Sequence, residues 1–140
     1  MHIVLRAHPI AKGKGEGKAL VTREPLSFWG GVDVATGTIV DRNHELVGEK
    51  IVGRVLVFPT GKGSTAGSFR IYACAKRGTA PSAMINVRAD PVVAVGAIIS
   101  GIPLVDRVEK DPLSIIETGD YVVVDANNGL IKVIKKGSVA

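Results

Sequence analysis

Cysteine occurs once in the 140 residues, at Cys74. No disulfide can form within the chain, which suits a reducing compartment. One thiol is also too few to hold a zinc ion or an iron–sulfur cluster. The three histidines, His2, His8 and His44, lie far apart. None stands three or four residues from another, so no metal-binding pair is encoded on a helix. His44 falls in a polar connection and is expected at the surface or in a loop. Aromatic residues make up only 4% of the chain, so the core must be aliphatic. Long apolar runs are missing too. The most apolar stretch, residues 92–105, is broken by Gly96, Gly101 and Pro103. It falls short of the roughly 20 residues that cross a bilayer as a helix. The N-terminus shows no signal-peptide core, so a cytoplasmic protein without a membrane span is expected.

What is present points to one domain over residues 1–140. Apolar residues reach 46%, enough for a proper core, and the net charge is +5. That charge admits nucleic acid, an anionic small molecule or an acidic protein as partner.

The chain is organised around residues 59–68, Pro-Thr-Gly-Lys-Gly-Ser-Thr-Ala-Gly-Ser. The apolar run 55–58 leads in, as the end of a strand expected over 51–58. A helix over about 67–76 leads out, with Gly78 as its stop. Gly61 and Gly63 allow a sharp turn. Ser64 then sits at or just before a helix N-terminus, where backbone N–H groups lack partners. It is either a simple cap or a reacting group whose ionised form those N–H groups stabilise.

Around this centre, residues 83–87 read as a buried strand. Asp90-Pro91 marks a second helix start, over 92–100, closed by Gly101. Residues 102–105 read as another strand. The middle is therefore β-α-β-α-β with parallel pairing, and ligands in such sheets sit beyond the carboxyl strand ends. The flanks are β. Residues 2–7, 19–22 and 36–40 suggest short strands, and residues 121–125 and 130–134 form a hairpin about Asn127-Asn128-Gly129. Residues 12–18 alternate glycine with charge and are read as a flexible, solvated turn rather than a basic anion loop. Phe28, Trp29, Gly30 and Gly31 either cap the core or let the backbone approach a ligand or partner. Lys135 and Lys136 are expected in solvent.

Two phosphate fingerprints fail at the central loop. A Walker A loop needs glycine where Ala66 stands, and Lys62 precedes Gly63 rather than Ser or Thr. A dinucleotide loop also needs its third glycine at Ala66. No histidine stands in a recognisable triad with Ser64.

Three stretches together resemble the small subunit of aconitase X enzymes: residues 28–33 (Phe-Trp-Gly-Gly-Val-Asp), 61–68 (Gly-Lys-Gly-Ser-Thr-Ala-Gly-Ser) and 91–103 (Pro-Val-Val-Ala-Val-Gly-Ala-Ile-Ile-Ser-Gly-Ile-Pro). The resemblance runs from about residue 10 to 133. It implies an α/β, β-rich fold, the swivelling β/β/α domain of the aconitase type, with antiparallel strands flanking the central unit. It implies a hydro-lyase subunit, active only with a large subunit. The reaction would be dehydration of mevalonate 5-phosphate to trans-anhydromevalonate 5-phosphate on an archaeal isoprenoid route. A 4Fe-4S cluster would be held by the large subunit as Lewis acid. Ser64 would accept the proton α to the carboxylate. Lys62, Gly63, Thr65 and Arg70 would contribute to substrate binding. Aconitases carry arginine where this chain has Ala66, so another cation must bind the carboxylate: Lys62, Arg70 or a large-subunit residue.

Within the family the alternative substrate is cis-3-hydroxy-L-proline. The rival from another class is a basic RNA-binding domain. Its charge is suitable, but acids are interspersed and only six aromatics (three Phe, two Tyr, one Trp) are available for stacking.

Overall fold

A computed structural model describes residues 2–137. The β-α-β-α-β centre is present as expected. Strand β6 (Val55–Phe58) leads to helix α1 (Gly67–Arg77), strand β7 (Ala83–Asn86), helix α2 (Pro91–Ser100) and strand β8 (Leu104–Asp106). Strands β6, β7 and β8 pair in parallel. Around them run β1 (His2–Arg6), β2 (His8–Ala11), β3 (Lys14–Val21), the small ribbon β4 (Val32–Asp33) and β5 (Thr38–Ile39), helix α3 (Pro112–Ile115), β9 (Tyr121–Asp125) and β10 (Leu130–Ile134). The main sheet has eight strands in the order β1-β10-β9-β3-β6-β7-β8-β2.

Strand β3 joins two kinds of pairing. Its first half, Lys14 to Lys18, runs antiparallel to β9. Its second half, Ala19 to Val21, runs parallel to β6. Residues 12–18 are thus largely strand, not the flexible turn expected. The alternate glycines explain why. A Cβ at Gly15 would fall 2.1 Å from the Ser82 carbonyl oxygen, and one at Gly17 would fall 2.4 Å from the Gly53 carbonyl oxygen. Glycine here lets one backbone lie against another.

Two cores use opposite faces of the same strands. Leu20, Leu56, Phe58, Met84 and Leu104 face α1 and α2, against Ile71, Cys74, Val93 and Ala97. Ala19, Val55, Val57, Ala83, Ile85 and Val105 face the other way, against Val122, Val124, Ile131 and Val133. Period-2 alternation divides the strands between the cores, and all four residues of β6 are buried. A strand covered on both faces needs an uninterrupted apolar sequence, which β6 has. Each fully buried Leu, Ile or Phe contributes about 2 kcal/mol.

Helix α1 buries Gly67, Ser68, Ile71 and Cys74 along one face. It lies close on α2: a Cβ at Gly96 would fall 2.6 Å from Ile71 Cδ1. Gly78 and Gly101 close the two helices in the left-handed conformation, as expected.

Other expectations need correction. The strand at 51–58 is confined to Val55–Phe58, because Ile51 to Arg54 make a turn with Gly53 at φ 67°. His44 lies in a loop but is buried; its Nδ1 accepts the Leu46 N–H at 3.1 Å. Lys135 is not simply solvated. Its Nζ lies 2.6 Å from Oδ2 of buried Asp120, 2.8 Å from the Ile115 carbonyl and 3.1 Å from Glu117. No described helix is long and apolar enough to cross a membrane.

Candidate active site

The central loop leaves the carboxyl end of β6 and is held from two sides. On one side, Leu26 N–H donates to the Thr60 carbonyl at 3.2 Å and Lys62 N–H donates back to Leu26 at 3.1 Å. On the other, Asp90 Oδ1 accepts the Gly61 N–H at 2.9 Å. The other Asp90 oxygen caps α2 through the N–H groups of Val92 and Val93. One carboxylate thus ties the loop to the start of α2. Its capping role is legible from Asp90-Pro91. The long-range bond to Gly61 has no sequence signal, because Asp90 lies 29 residues away.

Gly63 turns the chain with φ 93°, and a Cβ there would fall 2.7 Å from Ser27 Oγ. Only glycine meets both conditions without strain. Ser27 is itself fixed, its Oγ donating to the Trp29 carbonyl at 2.8 Å. Segment 26–31 therefore lies against the loop.

Ser64 follows and is exposed, as are Lys62, Gly63 and Thr65. The Ser64 Oγ accepts the Ala66 N–H at 3.1 Å, a local turn two residues wide. Its carbonyl accepts the Gly67 N–H at 2.9 Å. The helix cap is Ala66, which offers no side-chain bond. Ser64 thus precedes the helix, as the loop chemistry suggested, and one backbone N–H points at its hydroxyl. The α1 dipole adds positive potential at this end. Ser68 Oγ donates to the Val92 carbonyl at 2.6 Å and fixes α1 against α2 beneath the loop.

Arg70 lies one turn into α1, and helical side chains lean toward the N-terminus. Its guanidinium sits 4.6 Å from the centre of the Trp29 ring. Phe28 is buried against Phe58, whereas Trp29 is exposed. The two aromatics thus divide their roles: one fills the core, the other carries a cation beside the loop.

The residues of this chain do not fit an iron–sulfur cluster. Cys74 is buried under α1, and burial pushes its thiol pKa up, disfavouring the thiolate. Among the described residues no three His, Cys, Asp or Glu side chains gather as a metal site.

Known proteins resemble the chain over nearly its whole length. The family described as the aconitase X swivel domain matches residues 4–133. The phosphomevalonate dehydratase small subunit of Methanocella arvoryzae is 52% identical over 128 residues, 91% of this chain and 97% of that protein. The protein of the same name from Methanothrix thermoacetophila is 55% identical, over 96% of this chain and 97% of its own length. Among solved structures, holo-form aconitase X of Thermococcus kodakaraensis superposes with a TM-score of 0.89 at 47% identity, covering 95% of this chain and 99% of that one. A family match spanning nearly every described strand, with relatives at about half identity end to end, leaves one conclusion: the chain belongs to the aconitase X swivel-domain family.

Proposed function

We infer that this chain is the small subunit of a phosphomevalonate dehydratase, a hydro-lyase of the mevalonate pathway, and that Ser64 is its proton acceptor. Identity of 52% and 55% to small subunits of that name supports the assignment. The observation that carries the role of Ser64 is its position. It is an exposed hydroxyl on a glycine turn, at the carboxyl end of a parallel strand and the start of a helix. The two-faced strands support a single swivelling domain over residues 1–140, with helices on one side and antiparallel strands on the other.

The reaction removes a proton from C2 of (R)-5-phosphomevalonate and hydroxide from C3, leaving a C2=C3 double bond and one water. A serine hydroxyl is a poor base unless its alkoxide is stabilised. The Ala66 N–H at 3.1 Å, the α1 dipole and the Lys62 ammonium are the stabilising groups this chain supplies. They gain strength in a water-excluded cleft, which only a second subunit can close over an exposed loop. Gly63 and Thr65 shape the floor of that cleft, and Lys62 and Arg70 supply cations for the substrate carboxylate. A 4Fe-4S cluster, whose ligands must come from the large subunit, would supply the Lewis acid for the departing hydroxyl. The reduced, buried Cys74 suits a cytoplasmic enzyme.

The test is Ser64→Ala in the co-expressed two-subunit enzyme. The dehydration rate should fall about 10³-fold while the subunits still elute together. Activity close to wild type, or failure of wild type to act on (R)-5-phosphomevalonate, would reject the reading.

A further inference from the structure

Arg107 is the only non-glycine among the described residues with a positive φ, at 46°. A bulky side chain is rarely held there, because its Cβ crowds the backbone. The conformation is imposed by its neighbours. The Arg107 N–H donates to the Val87 carbonyl at 3.2 Å, which ties the end of β8 to the end of β7. Before it, Asp106 is buried and both its carboxylate oxygens are engaged. Oδ1 meets His8 Nδ1 at 3.1 Å, and Oδ2 accepts the Ala89 N–H at 2.9 Å.

Asp106 therefore leaves Arg107 unneutralised. Arg107 is exposed, and among the described residues its guanidinium has no ion pair and no hydrogen bond. Arg88, exposed beside Val87, is equally unpaired. An open cleft of about 390 Å³ lies alongside, lined by Pro59, Thr60, Val87, Arg88, Ala89 and Asp90. Pro59 and Thr60 also lead into the Ser64 loop, and Val87, whose carbonyl accepts the Arg107 N–H, lines the cleft too, so its rim runs from the start of that loop past Arg88 toward the end of β8.

We propose that Arg107 binds the phosphate of the substrate while Ser64 works at its C2, with Arg88 adding positive potential to the same rim. The proposal rests on the reading of the chain as a phosphomevalonate dehydratase subunit. Its geometry follows from the sheet. Strand β7 separates β6 from β8, which places the two strand ends about 10 Å apart. In the substrate, five bonds separate C2 from phosphorus, about 6 Å when extended. The arginine side chain spans the remainder. The planar guanidinium fork suits phosphate, to which it can donate two parallel hydrogen bonds. The carboxylate, one bond from C2, stays near Lys62 and Arg70. The strained backbone is what a site retains when the side chain must point out of a tight turn.

The strain makes the proposal separable from a structural role. Glycine is at ease at φ 46°, so Arg107→Gly should leave the assembled two-subunit enzyme with an equal or higher Tm. Its KM for (R)-5-phosphomevalonate should rise about 10-fold or more, with kcat within about threefold. Competitive inhibition by inorganic phosphate should weaken in parallel. Arg107→Lys, which keeps the charge and loses the fork, should fall between. Wild-type KM and wild-type phosphate inhibition in Arg107→Gly would overturn the proposal while leaving the function intact. Failure of both variants to assemble would overturn it as well, by making the residue structural. A wild-type enzyme that does not turn over the phosphorylated substrate would defeat the functional reading itself, and the proposal with it.

Discussion

Ser64 has two possible meanings, and local geometry separates them. As a helix cap it would serve the N–H groups of the first turn of α1. Instead it accepts the Ala66 N–H across a two-residue turn, before the helix begins. Losing that bond should cost no more than about 1 kcal/mol, so a large effect of Ser64→Ala on rate cannot be ascribed to unfolding. The turn itself is set by Gly63. Alanine there meets a φ of 93° and a Ser27 hydroxyl 2.7 Å from its Cβ. Gly63→Ala should destabilise the chain by about 1–2 kcal/mol. It should also lower kcat by up to about 10²-fold, through displacement of the serine by an ångström or less. Thermal unfolding and steady-state rates on the assembled enzyme check both halves. Ser64 was legible as an exposed group after a glycine turn. Arg107 was not, because nothing in the string Asp106-Arg107-Val108 announces a left-handed backbone; it arises from a hydrogen bond to a strand neighbour.

Among the elements, the parallel strands and both long helices were readable from their apolar runs and their stops at Gly78 and Gly101. Strand β3 was not. Its glycines look like a flexible connection until the backbones of Ser82 and Gly53 are placed against them. Lys135 shows the same limit. In the sequence it is one of two terminal lysines; in the structure it joins the end of β10 to the turn before β9 through Asp120. Burial raises the Asp120 pKa, but the Lys135 ammonium and the N–H groups of Glu117 and Lys136 outweigh it and hold the pKa below the ordinary value. Burial likewise opposes the charge on Lys135, and its bonds to Asp120 and Glu117 outweigh that and raise its pKa. The Asp120 contribution to stability is thus present above its unfolded pKa of about 3.9. It is lost as pH falls through the lower folded value. Lys135→Met strands a buried carboxylate and should cost about 3 kcal/mol at neutral pH. The deficit should shrink in acid, which protonates the stranded Asp120 of the variant first, since the variant lacks the ammonium that holds the wild-type carboxyl below its ordinary value. Denaturant unfolding at neutral pH and near pH 3 measures it; an equal deficit at both would place the loss in packing rather than charge.

For the whole molecule, the proposed function makes this fold half of a site. Two cores on opposite faces of β6, β7 and β8 make a rigid block, and the chemistry stands on its rim rather than inside it. The exposed Ser64 and Lys62 stand in the loop after β6, and the exposed Arg88 and Arg107 follow β7 and β8. Net charge of +5 fits a subunit that meets an anionic substrate. The family was readable from three short stretches, since each encodes a tight backbone approach that few sequences satisfy. The share of the proposed site that falls to a large subunit was not, because no residue of another polypeptide is encoded in this sequence. The measurement that bears most directly on Ser64 is hydrogen exchange at C2 of (R)-5-phosphomevalonate, followed in D₂O with the assembled enzyme. Wild type should place deuterium at C2 of the substrate pool as the reaction reverses, and Ser64→Ala, still assembled, should place none. Deuterium entering C2 at the wild-type rate in that variant would show that another group takes the proton.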